Sequence, residues 1–315
     1  MKDFRGICVP IVTPFAKDGN SVDEGALKSH IDWMIESGVQ IILACGGTGE
    51  FAYLREAERR RISEVTCKHV AGRAHVFLQT SAINTADTID NSKAAADMGA
   101  DAIMVLPPYF EGPTMDGVMW HYEKVAKSVK LPIVVYNIPQ NTNIDITPEI
   151  FAQLMKIENI QYIKDSTSNL VRIQQLVATG GKIFNGGDPI AFQALLAGCT
   201  GCIWGAVNAM PKESVELYRL VAGGKLADAA ALWQKMLPAQ LFFWTHDYNP
   251  SIKAATNIAG RNVGECRKPL QPLGEADMAA LRKAMKPLAL PASQSSAGII
   301  VANIPTNKTA TSMIG

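Results

Sequence analysis

The feature that most restricts the fold of this 315-residue chain is a regular alternation of short apolar segments with longer helical ones. Segments rich in β-branched residues and bounded by Gly, Pro or Asn predict strands, and segments of helical period separate them. Strands are predicted at 6–13, 40–44, 75–79, 102–106, 133–136, 161–164, 182–185 and 201–204. Helices are predicted at 23–37, 55–70, 85–98, 116–129, 148–155, 170–179, 190–197 and 212–222.

Two of the strand segments, 103–106 and 133–135, are apolar at every position instead of alternating. Such segments are typical of parallel strands that are buried on both faces. Eight strand–helix units in about 220 residues, with short connections, predict an α/β fold of the (β/α)8 TIM barrel type. A doubly wound open sheet is the alternative, but the first strand ends in Thr13-Pro14-Phe15 and lacks the Gly-rich turn of a dinucleotide site.

The signals for strands stop after about residue 224, and helices are predicted at 225–241, 251–258 and 276–285. We therefore expect a barrel at 1–224, a C-terminal helical appendix at 225–290 and a tail rich in Ser, Thr and Ala at 291–315. The appendix suits contacts between subunits or a lid over the barrel. Disorder of the tail and docking of its apolar segment 298–302 both stay open.

Charge and cysteine content exclude several classes of protein. Thirty Lys and Arg against 29 Asp and Glu leave a net charge of +1, so nucleic acid and anionic membranes are not expected as partners. Six scattered cysteines do not form a disulfide scaffold, and the Cys199-x-x-Cys202 pair lacks nearby ligands for a metal. No secretory or membrane-spanning segment is visible, which predicts a cytoplasmic protein.

Enzymes with a TIM barrel carry their catalytic groups at the C-terminal ends of the strands. Lys164 ends the predicted sixth strand and is expected to face the barrel mouth, where desolvation disfavours its charged form. A neutral amine there can form a Schiff base with a ketone. Tyr136 ends the neighbouring strand, and its phenol can relay protons in the same cavity. Structural roles, such as pairing of Lys164 with Asp165, are the alternatives.

The loop after the second strand reads Gly46-Gly47-Thr48-Gly49-Glu50. Consecutive backbone N–H groups that no side chain covers, together with the Thr48 hydroxyl, can bind a carboxylate. A Gly-rich turn alone is weak evidence for a carboxylate-binding site, because many turns contain glycine for conformational reasons. An amine, a phenol and a carboxylate site at three strand ends together predict a small-molecule 2-oxo acid as the substrate.

With these residues the chain resembles the dihydrodipicolinate synthase / N-acetylneuraminate lyase family, whose members form Schiff bases with pyruvate-class acids. The resemblance extends from about Phe4 to Met285, and its motifs occur in the family's order. The matching segments are 9–15, 46–50, 106–110, 135–139, 163–165, 249–253 and 269–273.

The resemblance implies a role for five residues. Lys164 is the expected Schiff-base lysine and Tyr136 the expected proton relay. Thr48 and the N–H of Gly47 are expected to hold the substrate carboxylate, and Ile203 is expected to line the site. The resemblance also implies a reaction without a metal or cofactor.

The family's usual assembly is a homotetramer built as a dimer of dimers. By the resemblance, the loop that carries Tyr109 and Phe110 is expected near the tight dimer contact.

Three positions depart from the dihydrodipicolinate synthases proper. Gly47 stands where those enzymes have a second Thr, and Phe110 stands where they have a Tyr, so two hydroxyls of the family's proton relay are missing. Asn141 stands where they have an Arg for a substrate carboxylate, and Asn cannot replace that bidentate partner. Sialic-acid lyases have Ser at the Gly47 position, so they match poorly as well.

These observations predict a lyase that acts on a 2-oxo acid through a lysine Schiff base. The reaction is either aldol cleavage or condensation with pyruvate, or dehydration of a 2-keto-3-deoxy sugar acid or a 4-hydroxy-2-oxo acid. Two alternatives stay open: 4-hydroxy-tetrahydrodipicolinate synthase, which joins pyruvate and aspartate semialdehyde, and a catalytically silent barrel that binds 2-oxo acids.

Overall fold

A computed structural model describes residues 2–288 as a closed barrel of eight parallel strands that follow one another in chain order. The last strand pairs with the first and closes the barrel. The strands are β1 (Gly6–Pro10), β2 (Ile41–Ala44), β3 (His75–Gln79), β4 (Ala102–Val105), β5 (Ile133–Asn137), β6 (Ile160–Asp165), β7 (Lys182–Asn185) and β8 (Gly201–Ile203).

Helices surround the barrel and continue beyond it. Those between the strands are α1 (Glu24–Glu36), α2 (Glu56–Val70), α3 (Thr85–Asp97), α4 (Met115–Ser128), α5 (Pro139–Thr142), α6 (Pro148–Leu154), α7 (Leu170–Ala178) and α8 (Ala191–Leu196). After β8 come α9 (Pro211–Ala222), α10 (Leu226–Thr245), α11 (Tyr248–Ile258) and α12 (Glu275–Met285). The predicted TIM barrel with a C-terminal helical appendix is confirmed.

The first strand is shorter than its sequence pattern predicts. It ends at Pro10, whereas the apolar pattern continues to Thr13. Ile11 still donates its N–H to the carbonyl of Leu43 in β2 (2.9 Å). Beyond Ile11 the partners change: the N–H of Val12 donates to Asn208 Oδ1 (3.1 Å), and the Thr13 side chain donates from Oγ1 to the carbonyl of Gly49 (2.7 Å). Side chains and loops therefore replace the strand ladder at the barrel mouth.

Most helix boundaries coincide with capping residues in the sequence. Asn84 and Thr147 cap α3 and α6, since their side chains accept hydrogen bonds from the backbone of the first turn. The sequence pattern missed α5, which is only four residues long. It also ended α10 too early, because that helix continues past Pro238 to Thr245.

Large side chains fill the lower half of the barrel interior. Phe4, Phe77, Tyr162 and Phe184 are buried there in one cluster. The Tyr162 hydroxyl donates to the carbonyl of Lys2 (2.9 Å) and accepts from the N–H of Phe4 (3.1 Å), so the N-terminal segment closes this end. The interior is therefore accessible from the C-terminal ends of the strands.

The domain boundaries at 224 and 290 stay predictions, and the predicted tail at 291–315 lies outside the described residues. Among residues 2–288, no helix combines the length and the apolar character that crossing a bilayer requires. Cys199 and Cys202 are separate free thiols buried in the outer core.

Candidate active site

A cavity of about 760 Å³ opens at the C-terminal ends of the barrel strands. Its size lies within the range of about 300–1,000 Å³ that is usual for small-molecule sites. The structure brings all five sequence-predicted site residues to its wall: Gly47, Thr48, Tyr136, Lys164 and Ile203. They come from the ends of β2, β5, β6 and β8, so the closed barrel is what brings them together.

Lys164 and Tyr136 are neighbours across the ladder between β5 and β6, where they are direct Cα partners. Lys164 shares the inward face with Tyr162, two residues earlier, because side chains alternate along a strand. Its Nζ lies 4.0 Å from the centroid of the Tyr136 ring, and the residue is only 6% exposed. Within residues 2–288, no carboxylate lies within 4.0 Å of this ammonium.

The adjacent carboxylate is directed away from Lys164. Asp165 accepts a hydrogen bond from Asn137 Nδ2 (2.9 Å) and another from the N–H of Thr167 (3.1 Å). Burial raises the pKa of Asp165, and these hydrogen bonds partly offset that effect. The sequence alternative of a Lys164–Asp165 ion pair is therefore wrong, and the amine is left facing the cavity.

The turn after β7 leaves room for the amine only because it contains glycine. A Cβ atom on Gly186 would lie 2.7 Å from Lys164 Cε and 2.2 Å from Ser166 Oγ, well inside van der Waals contact. Any larger residue would push the lysine side chain from its position. Gly186 is thus a steric determinant of the site.

The predicted carboxylate site is a tight loop with free backbone donors. In the described part of the chain, the N–H groups of Gly47 and Thr48 have no hydrogen-bond partner. The carbonyl of Gly47 is fixed, because it accepts from Asn249 Nδ2 (3.0 Å) and from the N–H of Glu50 (2.9 Å). The loop is therefore held with its N–H groups available to an anion.

Glu50, at the end of this loop, anchors it to the C-terminal helices. Glu50 Oε1 lies 2.7 Å from Lys253 Nζ, and both side chains are almost fully buried. Glu50 Oε2 accepts from the N–H of Arg267 (2.9 Å), and Lys253 Nζ also donates to the carbonyl of Glu265 (2.9 Å). A buried ion pair therefore holds residues 46–50, the predicted carboxylate-binding loop (the carboxylate loop), against α11.

A second polar cluster borders the amine on the β7 side. Tyr248, the first residue of α11, donates from its hydroxyl to Asp188 (2.9 and 3.0 Å) and accepts from the N–H of Gly205 (2.9 Å). Burial raises the pKa of Asp188 to about 6, although Tyr248 and Lys164 act in the opposite direction. Burial and the nearby Asp188 carboxylate also raise the pKa of Tyr248 well above its usual value.

Sequence reasoning assigned no role to Gly186, Asp188 or Glu50. Asp188 follows a strand end, which is the one signal that pointed to it. Gly186 and Glu50 also follow strand ends, but glycine and glutamate are common in turns, so their position alone did not indicate a role. Within residues 2–288, no group of three or more His, Cys, Asp or Glu side chains is arranged to hold a metal ion.

Comparison with known proteins identifies the family. The model of the dihydrodipicolinate synthetase family matches residues 3–288, nearly the whole described chain. The chain belongs to the dihydrodipicolinate synthetase family. Its predicted family is thereby confirmed, together with the broad lyase class of that family.

Relatives within the dihydrodipicolinate synthetase family include proteins named 4-hydroxy-tetrahydrodipicolinate synthase. The protein from Geotalea uraniireducens is 34% identical over 286 residues, which cover 90% of this chain and 98% of the relative. The protein from Anaeromyxobacter dehalogenans is 35% identical over 289 residues, which cover 90% and 97%.

Solved structures of the family agree with the fold described above. The chloride-inhibited dihydrodipicolinate synthase of Acinetobacter baumannii, complexed with pyruvate, has a TM-score of 0.86 at 32% identity and covers 90% of this chain and 98% of its own. A prophage protein of this family from E. coli K12, in complex with pyruvate, has a TM-score of 0.87 at 31% identity, with 91% and 99% covered.

Proposed function

We propose that the protein is a lyase that forms a Schiff base between Lys164 and the C2 carbonyl of a 2-oxo acid. One observation carries the proposal. The Lys164 amine lies beside the Tyr136 phenol in a cavity that also contains the N–H groups of Gly47 and Thr48, and neither the amine nor these N–H groups have a partner among residues 2–288. Complexes of family members with pyruvate support the same substrate class.

Binding places the reacting groups before any bond forms. The N–H groups of Gly47 and Thr48 hold the C1 carboxylate, so the C2 carbonyl is directed toward Lys164 Nζ. The Lys164 amine adds to C2, and the resulting carbinolamine loses water to form an iminium ion. The iminium then accepts electrons from C3, which is the step that makes both proposed reactions possible.

Two reactions follow from the iminium. In aldol cleavage the C4 hydroxyl loses its proton, the C3–C4 bond breaks, and an aldehyde leaves behind an enamine. Protonation of the enamine at C3 and hydrolysis then release pyruvate and the free lysine. In dehydration C3 loses a proton to give an enamine, and the C4 hydroxyl takes up a proton and leaves as water. Hydrolysis of the resulting unsaturated iminium then releases the dehydrated oxo acid and the free lysine.

Tyr136 is the proposed proton donor and acceptor for these steps, because its ring lies against the Lys164 amine. In the dihydrodipicolinate synthases two hydroxyl side chains pass protons between this tyrosine and solvent, and both are replaced in this chain. Gly47 has no side chain, and Phe110 is 79% exposed on the loop after β4. Protons are therefore exchanged through water in the open cavity.

The alternative reaction, synthesis of 4-hydroxy-tetrahydrodipicolinate, is supported by the names of the relatives. Gly47, Phe110 and Asn141 count against it, since each replaces a functional side chain of those synthases. Within the proposed class, pyruvate release separates cleavage from dehydration. Pyruvate release should be measured with a panel of 4-hydroxy-2-oxo and 2-keto-3-deoxy acids. A mixture of pyruvate and aspartate semialdehyde tests the synthase reaction in the same experiment.

Borohydride reduction in the presence of pyruvate tests the Schiff base directly. Wild-type protein should gain a reduced pyruvate adduct on the peptide that contains Lys164, and Lys164→Met should gain none. Lys182→Met, which changes a partly exposed lysine at the start of β7, is the matched control and should label like wild type. Unmodified wild-type protein would refute the proposal, and tight binding of 2-oxo acids without turnover would favour the silent barrel.

We further propose that the protein is a cytoplasmic homotetramer built as a dimer of dimers. The free thiols of its cysteines suit a reducing compartment. In the isolated chain the apolar ring of Phe110 is exposed to solvent, as expected for a residue that another subunit covers in the assembly. Light scattering of wild type and Phe110→Asp tests the assembly, and a monomeric wild type would contradict it.

A further inference from the structure

The cavity contains few positive charges for a site that binds an acid. Of the described residues on its wall, only Lys164 and His246 have basic side chains, and no arginine is among them. Lys164 is the amine that condenses with the ketone. After condensation its iminium carries one positive charge, which balances the C1 carboxylate held at Gly47 and Thr48.

His246 is not placed to supply a second cation. Its ring stacks on Phe242 with the centroids 3.8 Å apart, and its Nδ1 lies 2.9 Å from the carbonyl of Phe242. Its Nε2 lies 3.8 Å from Asp277 Oδ1, so a protonated ring is already paired with a carboxylate. A substrate anion would have to displace that pair.

Arginines near the carboxylate loop are also engaged. Arg267 makes two hydrogen bonds to Glu58, of 2.7 and 2.8 Å. Arg59 donates to the carbonyls of Gln79 and Ser81 (3.2 and 3.0 Å). Neither guanidinium reaches the cavity wall.

The other charged groups on the wall are acidic. Glu50, Asp188 and Asp247 all line the cavity, and among residues 2–288 only Glu50 of these three forms a salt bridge with a lysine, Lys253, which lies behind the wall. A second carboxylate on the substrate would find no cation and would be repelled by these groups. The remaining wall is neutral: it offers amide and hydroxyl groups and aromatic rings, including Gln140, Asn141, Ser166, Phe51, Tyr53 and Trp244.

We propose that the substrate is a 2-oxo acid with a single carboxylate, at C1, and an uncharged remainder. This inference rests on the proposed function, and it narrows the substrate class. A 2-keto-3-deoxy aldonic acid with a terminal hydroxyl belongs to that class. Dicarboxylic acids, such as 2-keto-3-deoxyglucarate and 4-hydroxy-2-oxoglutarate, fall outside it.

A matched pair of acids tests the inference. 2-Keto-3-deoxygluconate and 2-keto-3-deoxyglucarate differ only at C6, which is a hydroxymethyl group in one and a carboxylate in the other. The rate of borohydride labelling of Lys164 at low acid concentration measures entry and condensation without requiring turnover. The monocarboxylic acid should label at least about 100-fold faster, because a second carboxylate would meet like charges and no cation on the described wall.

A variant can supply the missing cation. Asn141 lies on the cavity wall and is exposed, so Asn141→Arg fits without disturbing the core. Asn141→Arg should reduce the preference for the monocarboxylic acid at least about tenfold, because Arg binds carboxylates in bidentate fashion. Asn141→Gln, which stays neutral, should keep the preference of wild type.

The outcomes separate the two proposals. If pyruvate labels Lys164 and the two acids label equally, or if neither acid labels, the single-carboxylate inference is overturned and the Schiff-base function stands. If pyruvate itself fails to label Lys164, both proposals fail. Faster labelling by the dicarboxylic acid also overturns the inference.

Discussion

Replacing Lys253 by Met should destabilise the protein far more than its small change in side-chain volume suggests. Lys253 is 1% exposed, and its Nζ lies 2.7 Å from Glu50 Oε1 and 2.9 Å from the carbonyl of Glu265. Its ammonium also lies 4.4 Å from the centroid of the Phe15 ring. Lys253→Met removes all these contacts and leaves the Glu50 carboxylate buried without a counter-ion.

The expected loss is about 3–5 kcal/mol of unfolding free energy, the usual effect of removing one partner of a buried ion pair. In a chain of this size each kcal/mol lowers Tm by about 2 °C, so the midpoint should fall by about 6–10 °C. An exposed pair gives the contrast: Lys127 Nζ lies 3.8 Å from Glu123, with side chains 74% and 48% exposed. Lys127→Met should change stability by less than about 1 kcal/mol.

Calorimetry at pH 7 and one protein concentration compares wild type, Lys253→Met and Lys127→Met. Adding Glu50→Gln to Lys253→Met removes the unpaired charge and should recover part of the lost Tm, which completes a double-mutant cycle with Glu50→Gln alone. Pyruvate labelling of Lys253→Met should also weaken, because the loop that holds the carboxylate loses its anchor. If Lys253→Met unfolds no earlier than Lys127→Met, the argument for the buried pair is refuted.

Three further changes probe the site. Burial raises the pKa of Asp188 to about 6, so the ionised carboxylate opposes folding. As the pH rises from about 4 to about 7, wild type should therefore lose up to about 3 kcal/mol of stability relative to Asp188→Asn. A difference in Tm between the two proteins that does not change with pH would contradict this. Gly186→Ala should abolish labelling of Lys164 by pyruvate, whereas Gly274→Ala, where nothing lies within 4 Å of the new methyl, should leave it intact. Tyr136→Phe keeps the ring beside the amine but loses the phenol, so turnover should fall about 10²–10⁴-fold while labelling persists, and unchanged turnover would remove Tyr136 from the mechanism.

Local patterns predicted the barrel and the proximity of Lys164 and Tyr136 for clear physical reasons. Apolar strands at regular intervals permit few arrangements, and consecutive strands of a barrel are neighbours. Lys164 and Tyr136 are the next-to-last residues of two consecutive strands, so their contact followed from topology. The carboxylate loop at Gly47 and Thr48 was predicted by its glycines and its position after β2.

Contacts between distant parts of the chain were not predictable. The Glu50–Lys253 ion pair joins a turn after β2 to a helix beyond the barrel, and no spacing in the sequence encodes that contact. The hydrogen bond from the Tyr248 hydroxyl to Asp188 joins residues 60 positions apart, and no sequence spacing predicts that contact either. The single-carboxylate inference likewise depends on which charges share a wall, which only the folded chain shows.

The anchoring of the carboxylate loop has a consequence for the biosynthesis of the protein. Asn249 holds Gly47 from 202 positions downstream, and Arg267 holds Glu50 from 217 positions downstream. A nascent chain therefore contains Lys164 well before it contains the residues that hold this loop. During translation, N-terminal regions fold first. The geometry that we propose for acid binding should consequently be fixed only when α11 and the segment through Arg267 have left the ribosome.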